Sequence, residues 1–146
     1  MHWQRTFLHP MLANFDAPSR DECAADRITS NSPQQALTLL NDPVFVEAAQ
    51  SFARNLLAAL PDGDFETHLS LGFQRAMARE PQPSETQALR AFYHEQLAYY
   101  QANPQEAKLF FGEQLPDSNA NELATPAALA QVCRVILNLH ETITRY

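Results

Sequence analysis

The sequence predicts an all-α fold, an irregular bundle of about six helices that follows a loop-rich N-terminal segment. Alanine (22 residues) and leucine (18) dominate the 146-residue chain, whereas valine and isoleucine together account for only seven residues. Small and unbranched side chains lose little rotamer freedom in a helix, whereas β-branched side chains pack best on a sheet. In addition, prolines directly follow residues that cap helices, and a proline at the first helical position loses no hydrogen bond. The prolines placed in this way are Pro33, Pro43, Pro104 and Pro126.

The length is typical of one domain, so we expect residues 1–146 to form a single helical unit. Residues 1–31 show no sustained hydrophobic period and predict the loop-rich segment, and residues 32–146 form the bundle. A short helix begins after the cap residue Ser32 and reaches about Leu40, and a longer helix covers about 43–60. A third helix begins at Asp64 and is broken by two nearby prolines, Pro81 and Pro83.

The second half of the chain predicts three more helices. Ser84 is expected to cap the fourth helix, with Gln87 in the capping-box position. Pro104 opens a short fifth helix, and residues 112–124 are polar and predict an exposed loop. The last helix, about 126–143, has the clearest 3.6-residue pattern and is expected to be the central one. Its apolar stripe consists of Leu129, Val132, Cys133, Ile136, Leu137, His140 and Ile143.

Composition excludes several classes of function. The chain has only three glycines, which are not clustered, so neither a glycine-rich phosphate loop nor a dinucleotide fingerprint is present. The net charge is −7 and Lys108 is the only lysine, which excludes the basic face that nucleic acids require. No apolar run is long enough to predict a membrane span.

Cysteine and histidine spacing predicts no metal site and no cofactor. Cys23 and Cys133 form no CxxC or CxxCH pattern, so zinc-knuckle, thioredoxin-type and covalent haem motifs are absent from the sequence. Cys133 lies on the apolar stripe of the last helix and is expected to be a buried free thiol, with a disulfide to Cys23 as the alternative. The string that begins at His140-Glu141 resembles the start of an HExxH zinc helix but lacks the second histidine.

A set of polar residues is the candidate site. Many of them stand beside helix starts, where capping and ion pairing are their simplest roles. The functional alternative is a shared polar pocket or partner surface. Asn138 and Glu141 are three positions apart on the last predicted helix and would lie near each other. The complete candidate set is Asp16, Arg20, Arg27, Asn31, Gln35, Asn41, Asn138 and Glu141. No catalytic residue is assigned.

Several short motifs resemble one known family. They are the run from Phe15 to Arg20, the Ser-Asn-Ser-Pro and Leu-Asn-Asp-Pro strings that end at Pro33 and Pro43, and the run from Ile136 to Glu141. In their order and spacing, from about Trp3 to Thr144, they resemble the planctomycete-specific domain of unknown function. The family pattern has Thr-Asn-Thr-Pro where this chain has Ser-Asn-Ser-Pro, a change that keeps the cap.

The resemblance implies a multidomain parent protein, exported and periplasmic or envelope-associated, with a cytochrome-c-like domain upstream. It implies no activity for these residues, and haem binding is not carried over because CxxCH is missing. The family domain extends upstream of Trp3, so the chain is expected to be the C-terminal part of a larger domain.

Two hypotheses of function follow. The first is a structural or protein-interaction module whose partners are other domains of the parent, another protein or a second copy of the chain. The alternative is a carbohydrate-binding or hydrolytic domain with a polar pocket around Asp16, Arg20, Asn138 and Glu141. A weaker third hypothesis is an electron-transfer accessory, suggested only by the domain upstream in relatives.

Overall fold

The computed structural model describes residues 10–17, 32–115 and 118–143, and over these residues it confirms the all-α prediction, with no β-strand. Eight α-helices and two 3₁₀ turns lie in the described ranges. The α-helices are α1 (Pro10–Asn14), α2 (Pro33–Asn41), α3 (Pro43–Ala59), α4 (Phe65–Met77), α5 (Pro83–Ala102), α6 (Pro104–Phe111), α7 (Ala124–Leu137) and α8 (His140–Ile143), and the 3₁₀ turns are Gly112–Gln114 and Ala120–Leu123.

Side-chain caps explain where three of the helices begin. The hydroxyl of Ser32 accepts a hydrogen bond from the backbone N–H of Gln35 at 3.2 Å. The carboxylates of Asp42 and Asp64 accept from Val44 and Thr67 at 3.0 and 2.9 Å. Each of these bonds satisfies an N–H that has no partner within its helix. The starts of α2, α3 and α4 therefore follow from local sequence, as predicted.

Two predicted helix starts are wrong. Helix α5 begins at Pro83, and the carboxylate of Glu85 accepts from the Gln82 N–H at 2.7 Å, so neither Ser84 nor Gln87 forms the capping box. Proline at the first helical position and glutamate two residues later together favour the earlier start. Helix α7 begins at Ala124, directly after a 3₁₀ turn, which places Pro126 inside its first turn, where no intrahelical N–H bond is lost.

The predicted exposed loop over 112–124 is also wrong in part. The described portion of this segment contains both 3₁₀ turns, and Leu123 and Ala124 are buried in the core. The prediction followed the polar composition of the whole segment and therefore missed that its last two residues, Leu123 and Ala124, are buried. Burial of Leu123 anchors the connection against α6 and α7.

The predicted helix over 126–143 is divided into two. Helix α7 ends at Leu137, and the backbone N–H of Asn138 donates to the carbonyl of Val135 at 3.0 Å. The hydroxyl of Thr142 donates to the carbonyl of Ile136 at 2.8 Å, and the N–H of Leu139 donates to the same carbonyl at 3.2 Å. A continuous helix would use that carbonyl for residue 140. The chain therefore turns before α8.

Helix α7 is the central helix of the bundle, as predicted. It packs mainly between α3 and α5, with further contacts to α2, α4 and α6. Its inner face is rich in alanine, and small side chains allow neighbouring helices to approach closely. The buried residues of α7 are Ala124, Pro126, Ala127, Ala128, Leu129, Ala130, Val132, Cys133 and Ile136.

Candidate functional site

The candidate polar residues lie on several different elements. Arg20, Arg27 and Asn31 fall outside the described residues. Asp16 occupies the turn after α1 with a φ of 53°, in the left-handed region. Asn41 is exposed at the end of α2, where its amide donates to the carbonyl of Leu37 at 2.9 Å. This bond is a local helix-end contact of a kind that asparagine commonly makes.

Asn138 and Glu141 are not three positions apart on one helix, because the chain turns between them. Asn138 is the C-terminal cap of α7, and Glu141 lies on α8. The carboxylate of Glu141 reaches Arg79, which is 62 positions away in sequence. The prediction assumed a continuous helix over 126–143, and that assumption is wrong because α7 ends at Leu137.

Arg79 is the centre of a polar network that the sequence analysis missed. It follows Ala78, whose left-handed backbone (φ 56°) ends α4. Its guanidinium lies over the ring of Phe73, 5.2 Å from the ring centre. Two of its donors meet the two oxygens of Glu85, both at 2.8 Å. A fork of this kind matches the geometry of a carboxylate.

The remaining donors of Arg79 are also used. Its Nε lies 3.0 Å from both oxygens of Glu141, and its Nη2 donates to Oε2 of that carboxylate at 2.8 Å. Its Nη1 donates to the backbone carbonyl of Glu80 at 3.0 Å. A guanidinium has five N–H donors. All five therefore have acceptors, and the network joins the end of α4, the start of α5 and α8.

Charge pairing shifts the titration of both carboxylates. Hydrogen bonds from Arg79 lower the pKa of Glu85 and the pKa of Glu141, and the same bonds raise the pKa of Arg79. Both glutamates are thus held as anions at neutral pH. A general acid needs a pKa near the working pH. The pairing with Arg79 instead lowers the pKa of Glu141, which moves it further from neutral pH.

A second polar network joins α2, α5 and α7. Nη1 of Arg134 donates to Oε1 of Gln131 at 2.7 Å, and Nε2 of Gln131 donates to the hydroxyl of Tyr100 at 2.7 Å. Nη2 of Arg134 donates to the backbone carbonyl of Leu40. Burial raises the pKa of Tyr100. In the sequence, this network could have been suspected from Gln131 and Arg134, two polar residues three positions apart within the apolar helix α7.

Three buried polar atoms in this part of the bundle have no hydrogen-bond partner among the described residues. They are Oε1 of Gln35, Nε of Arg134 and Oδ1 of Asn138. Gln35 is only 5% exposed. Gln35 and Asn138 belong to the predicted polar set, and the structure places both of them in buried surroundings rather than on an open face.

Cys133 is a buried free thiol, as predicted. Burial raises its pKa to about 12. Cys23 lies outside the described residues. Within the described ranges, no group of three or more histidine, cysteine, aspartate or glutamate side chains is arranged to hold a metal ion. Over the same ranges, no helix has both the length and the apolar character that crossing a bilayer requires.

A shallow groove of about 580 Å³ runs beside α6. Its lining also includes the polar residues Gln105 and Ser118, and we name four of the lining residues, Lys108, Leu109, Leu115 and Leu123, the α6 patch. Leu123 forms its buried floor, whereas the side chain of Leu109 is 83% exposed at its edge. This is the largest exposure among the large apolar side chains that the structure describes.

Comparison with known proteins supports the prediction of a domain of unknown function over residues 1–93, and the motif from Ile136 to Glu141 lies outside the matched residues. No curated protein and no solved structure matches this sequence. The model of the PSD1 family, described as a protein of unknown function (DUF1553), matches residues 1–93, which is more than half of the chain. The chain belongs to the PSD1 (DUF1553) family.

Proposed function

We propose that this chain is a helical interaction module, with a structural role in an exported multidomain protein of planctomycete type that carries a cytochrome-c-like domain upstream. Membership of the PSD1 family and the motifs around Pro33 and Pro43 support this context. The family resemblance supports a location in the periplasm or envelope. The exposed apolar surface of the chain supports an interaction role.

The exposure of Leu109 beside an apolar groove is the observation that carries the proposal. A leucine side chain that is 83% exposed loses most of the hydrophobic free energy it could gain by burial. Leu109 also stands next to a concave surface whose lining includes Leu115 and Leu123. Apolar surface that is rimmed by polar residues is typical of protein contact sites.

The occupant we propose for the α6 patch is a second copy of the chain. Exposed Leu109 lines the same groove as Leu115 and Leu123, and a two-fold interface pairs one such patch with the same patch of a second copy.

The hydrolytic alternative receives less support. Glu141, a member of its proposed pocket, is bound by Arg79, and the hydrogen bonds from Arg79 lower the pKa of this carboxyl group. Its other described members belong to different elements, with Asp16 after α1 and Asn138 at the end of α7. The interaction hypothesis depends on the exposed apolar surface and does not require these polar residues to form one pocket.

Sedimentation velocity of the purified chain over a wide concentration range tests this proposal. We expect reversible dimerisation of the wild-type chain and a monomer for L109E, because a buried carboxylate without a partner is costly. L37E is the matched control, since Leu37 is also an exposed leucine (59%) but lies on α2, outside the patch.

A wild-type chain that remains monomeric at every concentration contradicts self-association through α6. If L37E also fails to dimerise, the assignment of the dimer interface to the α6 patch is contradicted. If the wild-type chain is monomeric, an upstream domain of the parent becomes the occupant to test.

A further inference from the structure

We propose that ordered water occupies an internal polar site between α2 and α7, where it donates hydrogen bonds to Oε1 of Gln35 and Oδ1 of Asn138 and accepts one from Nε of Arg134. These three buried side-chain atoms have no hydrogen-bond partner among the described residues. The site shares no residue with the α6 patch, so the proposal does not depend on self-association.

Gln35 is the clearest sign that a further partner is needed. A polar atom that is buried without a partner gives up its hydrogen bonds to bulk water and gains none in exchange. Gln35 is 5% exposed, and its Oε1 is one of the unpaired atoms. His68 is buried to the same degree, but its Nε2 lies 2.9 Å from the carbonyl of Leu60. The comparison shows how this chain pairs a buried polar side chain when the protein itself supplies the group.

Two of the unpaired atoms lie along one side of α7. Arg134 and Asn138 are four positions apart, and the backbone of Asn138 keeps right-handed helical angles, with its N–H donating to the carbonyl of Arg134 at 3.2 Å. Residues at this spacing are neighbours on a helix surface. The guanidinium of Arg134 also reaches α2, where its Nη2 donates to the carbonyl of Leu40. This side of α7 therefore faces α2.

The third atom lies on the inner side of α2. Gln35 and Leu39 are the buried residues of this helix, and they are also four positions apart. Helix α2 packs against α7, so its inner side contributes one polar and one apolar side chain to the bundle. The contacts of α3 and α5 with α7 differ, because no unpaired buried polar side-chain atom lies on either of those two helices.

The hydrogen-bonding groups at this interface select water rather than an ion. Two of the atoms are amide oxygens, which only accept, and the third belongs to a guanidinium N–H, which only donates. An anion cannot pair with the two oxygens, and a cation is repelled by the charge of Arg134. Water both donates and accepts twice, so one molecule, or two in contact, can pair all three atoms. Buried water in proteins typically makes about three such bonds.

Magnetic relaxation dispersion of ¹⁷O in the full chain tests the site, because it counts water molecules that stay bound for longer than the protein takes to tumble. We expect Q35L to lose at least one such water relative to the wild type, since leucine removes the amide oxygen at similar side-chain size. Q34L is the matched control, because Gln34 is the neighbouring, exposed residue of α2. It should keep the wild-type count.

N138A is a second test variant that does not depend on the folding of Q35L. It removes Oδ1 but keeps the backbone N–H that closes α7, and we expect it to lose bound water as well. An unchanged count in N138A or in folded Q35L overturns the proposal. An equal loss in Q34L and Q35L also overturns it, because the water would then not be bound at the buried amide.

Discussion

At the scale of single residues, several described polar side chains hydrogen-bond the ends of helices. Ser32, Asp42 and Asp64 accept the first free N–H groups of α2, α3 and α4, and Asn41 closes α2. Asn103 was expected to cap α6, but its amide donates to the carbonyl of Tyr99 at the end of α5. A short amide side chain between two helices can serve either end, and sequence does not distinguish the two.

Cys133 supports a prediction at this scale. Because the thiol is fully buried and burial raises its pKa to about 12, its reactive thiolate is almost absent from the native protein. In a C23S background at about pH 8, we expect Ellman's reagent to detect no thiol in the native chain and one thiol after denaturation. Rapid reaction of the native variant would contradict the buried position of Cys133.

At the scale of elements, the network at Arg79 decides how α4, α5 and α8 meet. Its members come from three separate parts of the chain, and Arg79 and Glu141 are 62 positions apart. No local pattern distinguishes Arg79 from the other arginines of the chain. The left-handed residue Ala78 and the ring of Phe73 together orient its guanidinium.

Acid should weaken the start of α5. Arg79 lowers the pKa of Glu85 in the folded chain, so the pair stabilises the protein above the ordinary glutamate pKa of about 4.3. This stabilisation is lost as pH falls through the lowered folded value. We therefore expect E85Q to melt at a lower temperature than the wild type near neutral pH, and the difference to shrink in acid.

The measurement is the Tm of wild type, E85Q and the control E95Q from neutral pH down to about pH 3. E95Q should follow the wild type throughout, because Glu95 is exposed and no ion pair is described for it. A difference between wild type and E85Q that stays constant with pH would show that the ionised pair does not stabilise the fold.

At the scale of the whole molecule, the fold depends on how closely α3 and α5 pack against α7. Alanines lie at buried positions of this interface, including Ala49 and Ala53 on α3 and Ala130 on α7, each with no exposed surface. Protein interiors are packed as densely as organic crystals, so such positions have no space for extra methylene groups. The alanine content that predicted helices thus also sets the distance between them.

A substitution in α7 tests this packing. We expect A130L to lower the free energy of unfolding by roughly 1–3 kcal/mol, because a larger side chain forces α7 away from its neighbours. A98L, at an exposed position of α5, is the matched control and should change it by less than about 0.5 kcal/mol. Urea denaturation measures both, and an A130L variant as stable as A98L would contradict close packing around α7.

The sequence by itself determined the all-α class, the starts of α2, α3 and α4, and the buried stripe of α7 from Leu129 to Ile136, whereas His140 of the predicted stripe is exposed on α8. Those properties depend on capping, proline geometry and a 3.6-residue period, which act among residues a few positions apart. Only the tertiary structure decided that Glu141 pairs with Arg79, that Arg134 reaches Leu40, and that the last predicted helix turns at Asn138. The partner of a long polar side chain depends on which helices lie beside it, and that arrangement exists only after the core has packed.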